Sequence, residues 1–188
     1  MNKLIAIAAF AFAAITTPAL AGTLSAEGRT ALAPNAAGVD LSASGLNAGP
    51  VTLGAEVQTV QASHNGAVVD LFSVNATKTF ASVDGFTPQV GVEVGKSVST
   101  AKDFGFWGLD AGVSHAVAGP VTASVGYRYR QGFADRKLEE NRLNAGLTYA
   151  VSKATSLGLN YYRYDEKYVP ARVRKVSNVL GVGVNYNF

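Results

Sequence analysis

Apolar and polar side chains take turns along most of this chain. From Val176 to Phe188, Leu180, Val182, Val184, Tyr186 and Phe188 share one parity, while Val179, Gly181, Gly183, Asn185 and Asn187 share the other. Successive side chains of a strand point to opposite sides of the sheet, so this pattern predicts a strand with one oily face and one small or polar face. The same alternation predicts strands over 50–61, 89–98, 104–117, 120–131, 143–149 and 156–162. In these, Val90, Val92, Val94, Trp107, Leu109, Val125, Tyr127, Leu147 and Leu159 fall on oily faces. A further strand is expected over 67–80, where both faces are mixed and the parity stays open. Gly22 to Ala31 fits a short first strand or a loose extension.

An internal repeat helps the strand count. The segment GVDLSASGLNAGPVT at 38–52 aligns without gaps to GLDAGVSHAVAGPVT at 108–122. Each copy reads as strand, Ala-Gly-Pro turn, strand, because Gly and Pro supply the backbone angles of a tight turn. Other turns are expected at Ser63-His64-Asn65-Gly66 and around Asp84-Gly85. Counting from both ends gives ten strands if 23–30 is the first. Eight is the alternative, with the barrel starting at Pro50. Short links at 118–120 and 151–154 are expected to alternate with longer charged links at 131–142 and 165–177.

Two further features narrow the environment. A single cation at Lys3, the apolar run Leu4 to Ile15 and the small-x-small site Ala19-Leu20-Ala21 form an export signal, so residues 1–21 are expected to be removed and 22–188 to fold. No mature stretch has the eighteen or so consecutive apolar residues of a spanning helix. Segments of about ten alternating residues with turns between them are the pattern of a membrane barrel, which satisfies its backbone between strands. The predicted fold is therefore all-β: a closed, antiparallel, up-and-down transmembrane barrel. Charged residues make up 15% of the chain, against about 25% in soluble domains. There is no cysteine, which rules out disulfides and thiolate metal sites, and a net charge of +3 is too mild to suggest nucleic acid.

The cleavable signal, the alternating hairpins and the closing Gly-Val-Gly-Val-Asn-Tyr-Asn-Phe resemble small Gram-negative outer-membrane barrel proteins, a superfamily that includes the outer-membrane protein A barrel, opacity-type and porin-like proteins. The resemblance spans the mature chain and is architectural. It implies that Phe188, with Tyr186 and Val184, serves as the signal read by the barrel-assembly machinery. It also implies outer-membrane lipid and lipopolysaccharide as partners, and localisation to the cell outer membrane.

The residues of chemical interest are charges on inward parity: Glu56, Glu93, Asp110, Arg128 and Arg130, joined by Asp40, Glu27 and Arg29 if the flanking strands hold. Buried charges must pair or neutralise. The set therefore reads as an ion-pair network plugging the lumen, or as a narrow polar pathway. A lipid-modifying enzyme is the least favoured class. The histidines, His64 and His115, each follow a serine, and adjacent strand residues face opposite ways. No catalytic residue, metal ligand or cofactor is expected. Trp107, Tyr127, Tyr129, Tyr149, Tyr161, Tyr186 and Phe188 fit interfacial girdles. Lys167, Arg172, Arg174 and Lys175, beside Asp165 and Glu166, read as a solvated charged loop, with lipid phosphate as the second reading. The leading function is a non-enzymatic outer-membrane barrel with a structural or narrow-pore role. The alternative is a surface adhesion or recognition barrel acting through external loops.

Overall fold

The computed structural model describes residues 22–33, 36–62, 68–99, 103–133, 138–168 and 173–188. The export signal, the 63–66 turn with His64, and Arg172 lie outside the described residues. Ten strands follow one another: β1 (Thr23–Ala33), β2 (Ala36–Ala48), β3 (Val51–Ala62), β4 (Val68–Thr79), β5 (Phe86–Ser99), β6 (Phe104–Ala118), β7 (Val121–Gly132), β8 (Glu139–Ala150), β9 (Thr155–Tyr168) and β10 (Val173–Asn187). Each pairs antiparallel with its sequence neighbours, and β1 pairs with β10, which closes an up-and-down barrel. The eight-stranded alternative is excluded, because Thr23 to Thr30 pairs on both sides, with β2 and β10.

The parity reading carries over to the wall. Val90, Val92, Val94, Leu109, Leu147, Leu159, Val182 and Val184 are exposed on the outside. A soluble protein would bury such side chains, whereas here they form a continuous apolar outer surface. On β4 the open parity resolves: Ser73 is buried inward, while Phe72 and Val74 face out. The mixture has local causes. Leu71 pairs with inward Gln58, and Lys78 faces out with its ammonium 5.0 Å from the Phe80 ring.

Both Ala-Gly-Pro segments are tight hairpins, with Gly49 and Gly119 at φ of 64° and 50°. Asp84 and Gly85 have φ of 51° and 80°. Two consecutive residues in that region match a type I′ turn, whose twist suits a hairpin, and Val83 and Phe86 exchange both backbone hydrogen bonds at 2.9 Å.

The expected alternation of short and long links is not found. Two to six residues separate successive strands at both ends of the barrel. The charged segments 131–142 and 165–177 are mostly strand, because β8 begins at Glu139, β9 continues to Tyr168 and β10 begins at Val173. Their charges stay soluble on strands that continue past the apolar band. Arg174 pairs with Asp165, and Lys167 with Glu139 at 3.3 Å. Lys167, Arg174 and Lys175 are thus strand residues, not members of a solvated loop.

Candidate functional site

The inside of the barrel is where charge collects. Arg130 on β7 is 1% exposed and Glu93 on β5 is 4% exposed. They meet edge to edge: the guanidinium donates from Nε to Oε1 at 2.7 Å and from Nη2 to Oε2 at 3.0 Å. Such a two-point, charge-assisted contact is the strongest pairing available to these side chains. Arg130 also lies 3.9 Å from Glu56 and 3.7 Å from Glu140, and its guanidinium stands 5.1 Å from the centroid of the buried Phe106 ring. Arg128, two residues earlier on the same face, donates to Glu56 at 3.2 Å and approaches Glu93 at 3.6 Å. Two arginines and three glutamates from four strands therefore form one cross-lumen network.

A second cluster is centred on Arg29 of β1. Its guanidinium pairs with Glu27 and, at 2.7 Å, with Asp40. It also donates to the hydroxyls of Tyr164 and Tyr162 at 3.4 and 3.3 Å. Glu27 further accepts from the Tyr162 hydroxyl at 2.8 Å and from the Asn160 amide. The Tyr162 ring lies between two cations, 4.5 Å from the Arg29 guanidinium and 5.3 Å from that of Arg142.

Small residues make room for this crowd. A Cβ on Gly181 would stand 2.5 Å from Oε1 of Glu27, and one on Gly108 would stand 2.5 Å from Oε1 of Glu93. Beside the two clusters is a cavity of about 280 Å³, lined by Glu27, Arg29, Asp40, Glu56, Arg128 and Arg142 among others.

Of the five residues expected inside, Glu56, Glu93, Arg128 and Arg130 come together. Asp110 faces inward on the same row, with its carboxylate in the space left by Gly91. It makes no ion pair within 4 Å among the described residues. Glu27, Arg29 and Asp40 join the interior as expected from their parity. The sequence reading placed Glu140 and Arg142 in a link, and it assigned no role to Tyr162 or Tyr164. The signal was present: Glu140, Arg142 and Asn144 share a parity opposite to Leu143 and Leu147.

The remaining sites are plainer. Ser114 is on inward parity and His115 on outward, where its ring stacks on Phe86 at 4.4 Å and Nδ1 meets the Gly85 carbonyl at 3.0 Å. The two therefore do not form a nucleophile–base pair. Val184 and Tyr186 face outward on β10, and Phe188, just beyond it, exchanges backbone hydrogen bonds with Gly22 at 3.0 and 3.1 Å. The Trp107 and Tyr129 rings meet edge to face at 5.7 Å. Tyr161, expected in an interfacial girdle, lies mid-strand on β9. It marks the upper edge of the oily band, because its hydroxyl donates to Asn178 at 2.7 Å and polar residues follow above. Above that edge, hydrogen bonds from Arg174 hold the Asp165 carboxyl below the usual carboxylate range and raise the guanidinium in turn.

No family model and no curated protein matches the chain. Among solved structures, the NanC porin is similar with a TM-score of 0.61 at 10% identity, over 88% of this chain and 100% of that one. The KdgM porin, solved in complex with disordered oligogalacturonate, is similar with a TM-score of 0.51 at 14% identity, over 88% and 99%. At such identities the likeness concerns the fold alone: a closed, antiparallel, up-and-down β-barrel.

Proposed function

We propose that this chain is a non-enzymatic, integral outer-membrane barrel whose lumen is held shut by its ion-pair network, so that its main work is structural. The observation behind this reading is the pairing of two surfaces in one closed barrel. The outer wall is oily, and the inner wall carries an arginine–carboxylate network with almost no exposure at Arg130 and Glu93. The outer wall also has a fitting height. From Tyr186 to Asn178 the strand runs roughly 27 Å at about 3.4 Å per residue. Tilted by about 35–45°, as barrel strands are, that stands about 19–22 Å tall, a little short of an apolar band of about 25 Å. Val184, Tyr186 and Phe188 stand where the assembly machinery could read them as the chain's closing strand, and lipid and lipopolysaccharide are the partners the outer wall suits.

A narrow-pore role is the second reading, favoured by the polar-lined cavity beside the network. The adhesion reading loses support, since the links are short at both ends. The similarity to a porin solved with an acidic oligosaccharide suggests charged solutes as the class to try first.

Single-channel recording in planar bilayers separates the two readings. We expect wild-type protein to show no stable open current. Arg128→Ala is expected both to lower urea resistance and to admit leak current. A steady wild-type current that Arg128→Ala enlarges without loss of urea resistance would move the assignment to the pore.

A further inference from the structure

The two ends of the lumen are unlike. Gly22 and Phe188 meet at one end, which also carries both Ala-Gly-Pro hairpins. On every strand, the inward positions between that end and the ion-pair clusters hold only Ser, Thr, Asn, Gln, Gly or Ala among the described residues. These side chains are open: Ser44 and Gln89 are exposed, and Ser25, Ser42, Asn144 and Asn185 are partly so. Toward the other end the inward side chains close up. Ser97 and Ser177 are buried there, together with Phe106, Glu140 and Tyr164. Inward serines are thus open on one side of the network and enclosed on the other.

The cavity of about 280 Å³ lies where the two regimes meet. Ser25, Ser42 and Asn185 line it on the terminal side, and Arg29, Asp40 and Arg142 on the ionic side. Its volume is roughly nine waters at about 30 Å³ each, which leaves room for a small organic molecule. The lining is balanced in charge: Arg29, Arg128 and Arg142 are matched by Glu27, Asp40 and Glu56. An ion of either sign that entered would give up hydration and find no net charge to answer it. Hydroxyl and carboxamide groups both donate and accept, so an uncharged polar solute can replace the water contacts it loses.

We propose that the lumen is a blind vestibule, open at the end that holds both chain termini and stopped by the ion-pair network, which takes up small uncharged polar solutes. This rests on the reading of a lumen held shut. It adds which mouth is open, how deep access runs and what enters.

The chain has no cysteine, so Ser44→Cys, Ser25→Cys, Ser42→Cys, Ser97→Cys and Ser177→Cys each introduce a single thiol at nearly constant volume. The variants of residues 22–188, refolded in detergent, are treated with iodoacetamide, itself a small uncharged amide. Alkylation rates are read by mass spectrometry relative to the same variant in urea. Ser44→Cys, Ser25→Cys and Ser42→Cys should react, whereas Ser97→Cys and Ser177→Cys should be roughly a hundredfold slower or more, since an enclosed site reacts only when the wall opens locally. Iodoacetate, the anion of similar size, should lose roughly tenfold against iodoacetamide at Ser42→Cys relative to Ser44→Cys, because it must shed more hydration to go deep. Wild-type protein gives a readout that needs no variant: an uncharged nitroxide should broaden the side-chain amide resonances of Asn144 and Asn185 and spare the backbone amides of Ser97 and Ser177. Fastest reaction at Ser177→Cys and Ser97→Cys would put the open mouth at the other end and overturn the proposal. Equal rates at all five sites would overturn it together with the shut lumen. Reaction at Ser44→Cys alone, with no broadening at Asn144, would overturn the vestibule and leave the shut lumen standing. Equal depth of access for iodoacetate would overturn the choice of uncharged solutes.

Discussion

Arg130 is enclosed so fully that its charge has to be answered by the residues around it. Glu93 answers in two-point contact, with Glu56 and Glu140 behind. Arg130→Ala leaves buried Glu93 with only the longer Arg128 contact and takes from buried Glu140 its 3.7 Å cation, and should cost about 3–5 kcal/mol. Replacing both partners, as Arg130→Met with Glu93→Met, removes one of the two carboxylates so exposed and should be milder. Urea unfolding of the three proteins in the same lipid checks this; equal losses in the single and double variants would contradict it. The inward parity of Glu56, Glu93, Arg128 and Arg130 was legible in the sequence, because alternation tells in from out. Their pairing was not. Glu56 and Arg128 are 72 residues apart, Glu93 and Arg130 are 37 apart, and each contact joins strands that do not pair with one another. Arg142 escaped notice because the charged run Arg136 to Glu140 reads as a link, although Arg142 itself continues the parity of Asn144.

At the scale of the strands, what reads well is whatever is both periodic and local. The two Ala-Gly-Pro hairpins, the Asp84-Gly85 turn and the oily faces of β5 to β10 all follow from neighbouring residues. Strand ends in charged sequence do not, and so β8, β9 and β10 extend into segments expected to be links. Two glycines test how tightly the elements fit. Gly85 has φ of 80°, and an added Cβ would stand 3.0 Å from the His115 ring. Gly85→Ala should therefore destabilise the β4–β5 hairpin by about 1 kcal/mol. Gly95 is more demanding. Its Cβ would stand 2.5 Å from Cζ of Phe106 and closer still to the Phe72 carbonyl. Since that carbonyl is backbone, Gly95→Ala should lower the urea midpoint more than Gly85→Ala does; the reverse order would show that the β4–β5–β6 wall is looser than described.

At the scale of the whole molecule, two surfaces of opposite character lie back to back through a wall one strand thick. The oily surface faces out and the ionic one in, the reverse of a soluble fold. The ten-strand count follows from β1 pairing with both β2 and β10, which the hairpin repeat anticipated and the sequence alone could not close. What touches the outer wall decides the barrel's environment. Trp107 is the sole tryptophan of the chain and lies on the outward parity of β6. The most direct measurement is its fluorescence after refolding residues 22–188 into vesicles of lipid brominated along the acyl chain. We expect strong quenching in vesicles, and aggregation of the chain when detergent and lipid are both withdrawn. An unquenched Trp107, together with a folded monomer that stays dissolved in buffer alone, would contradict the account.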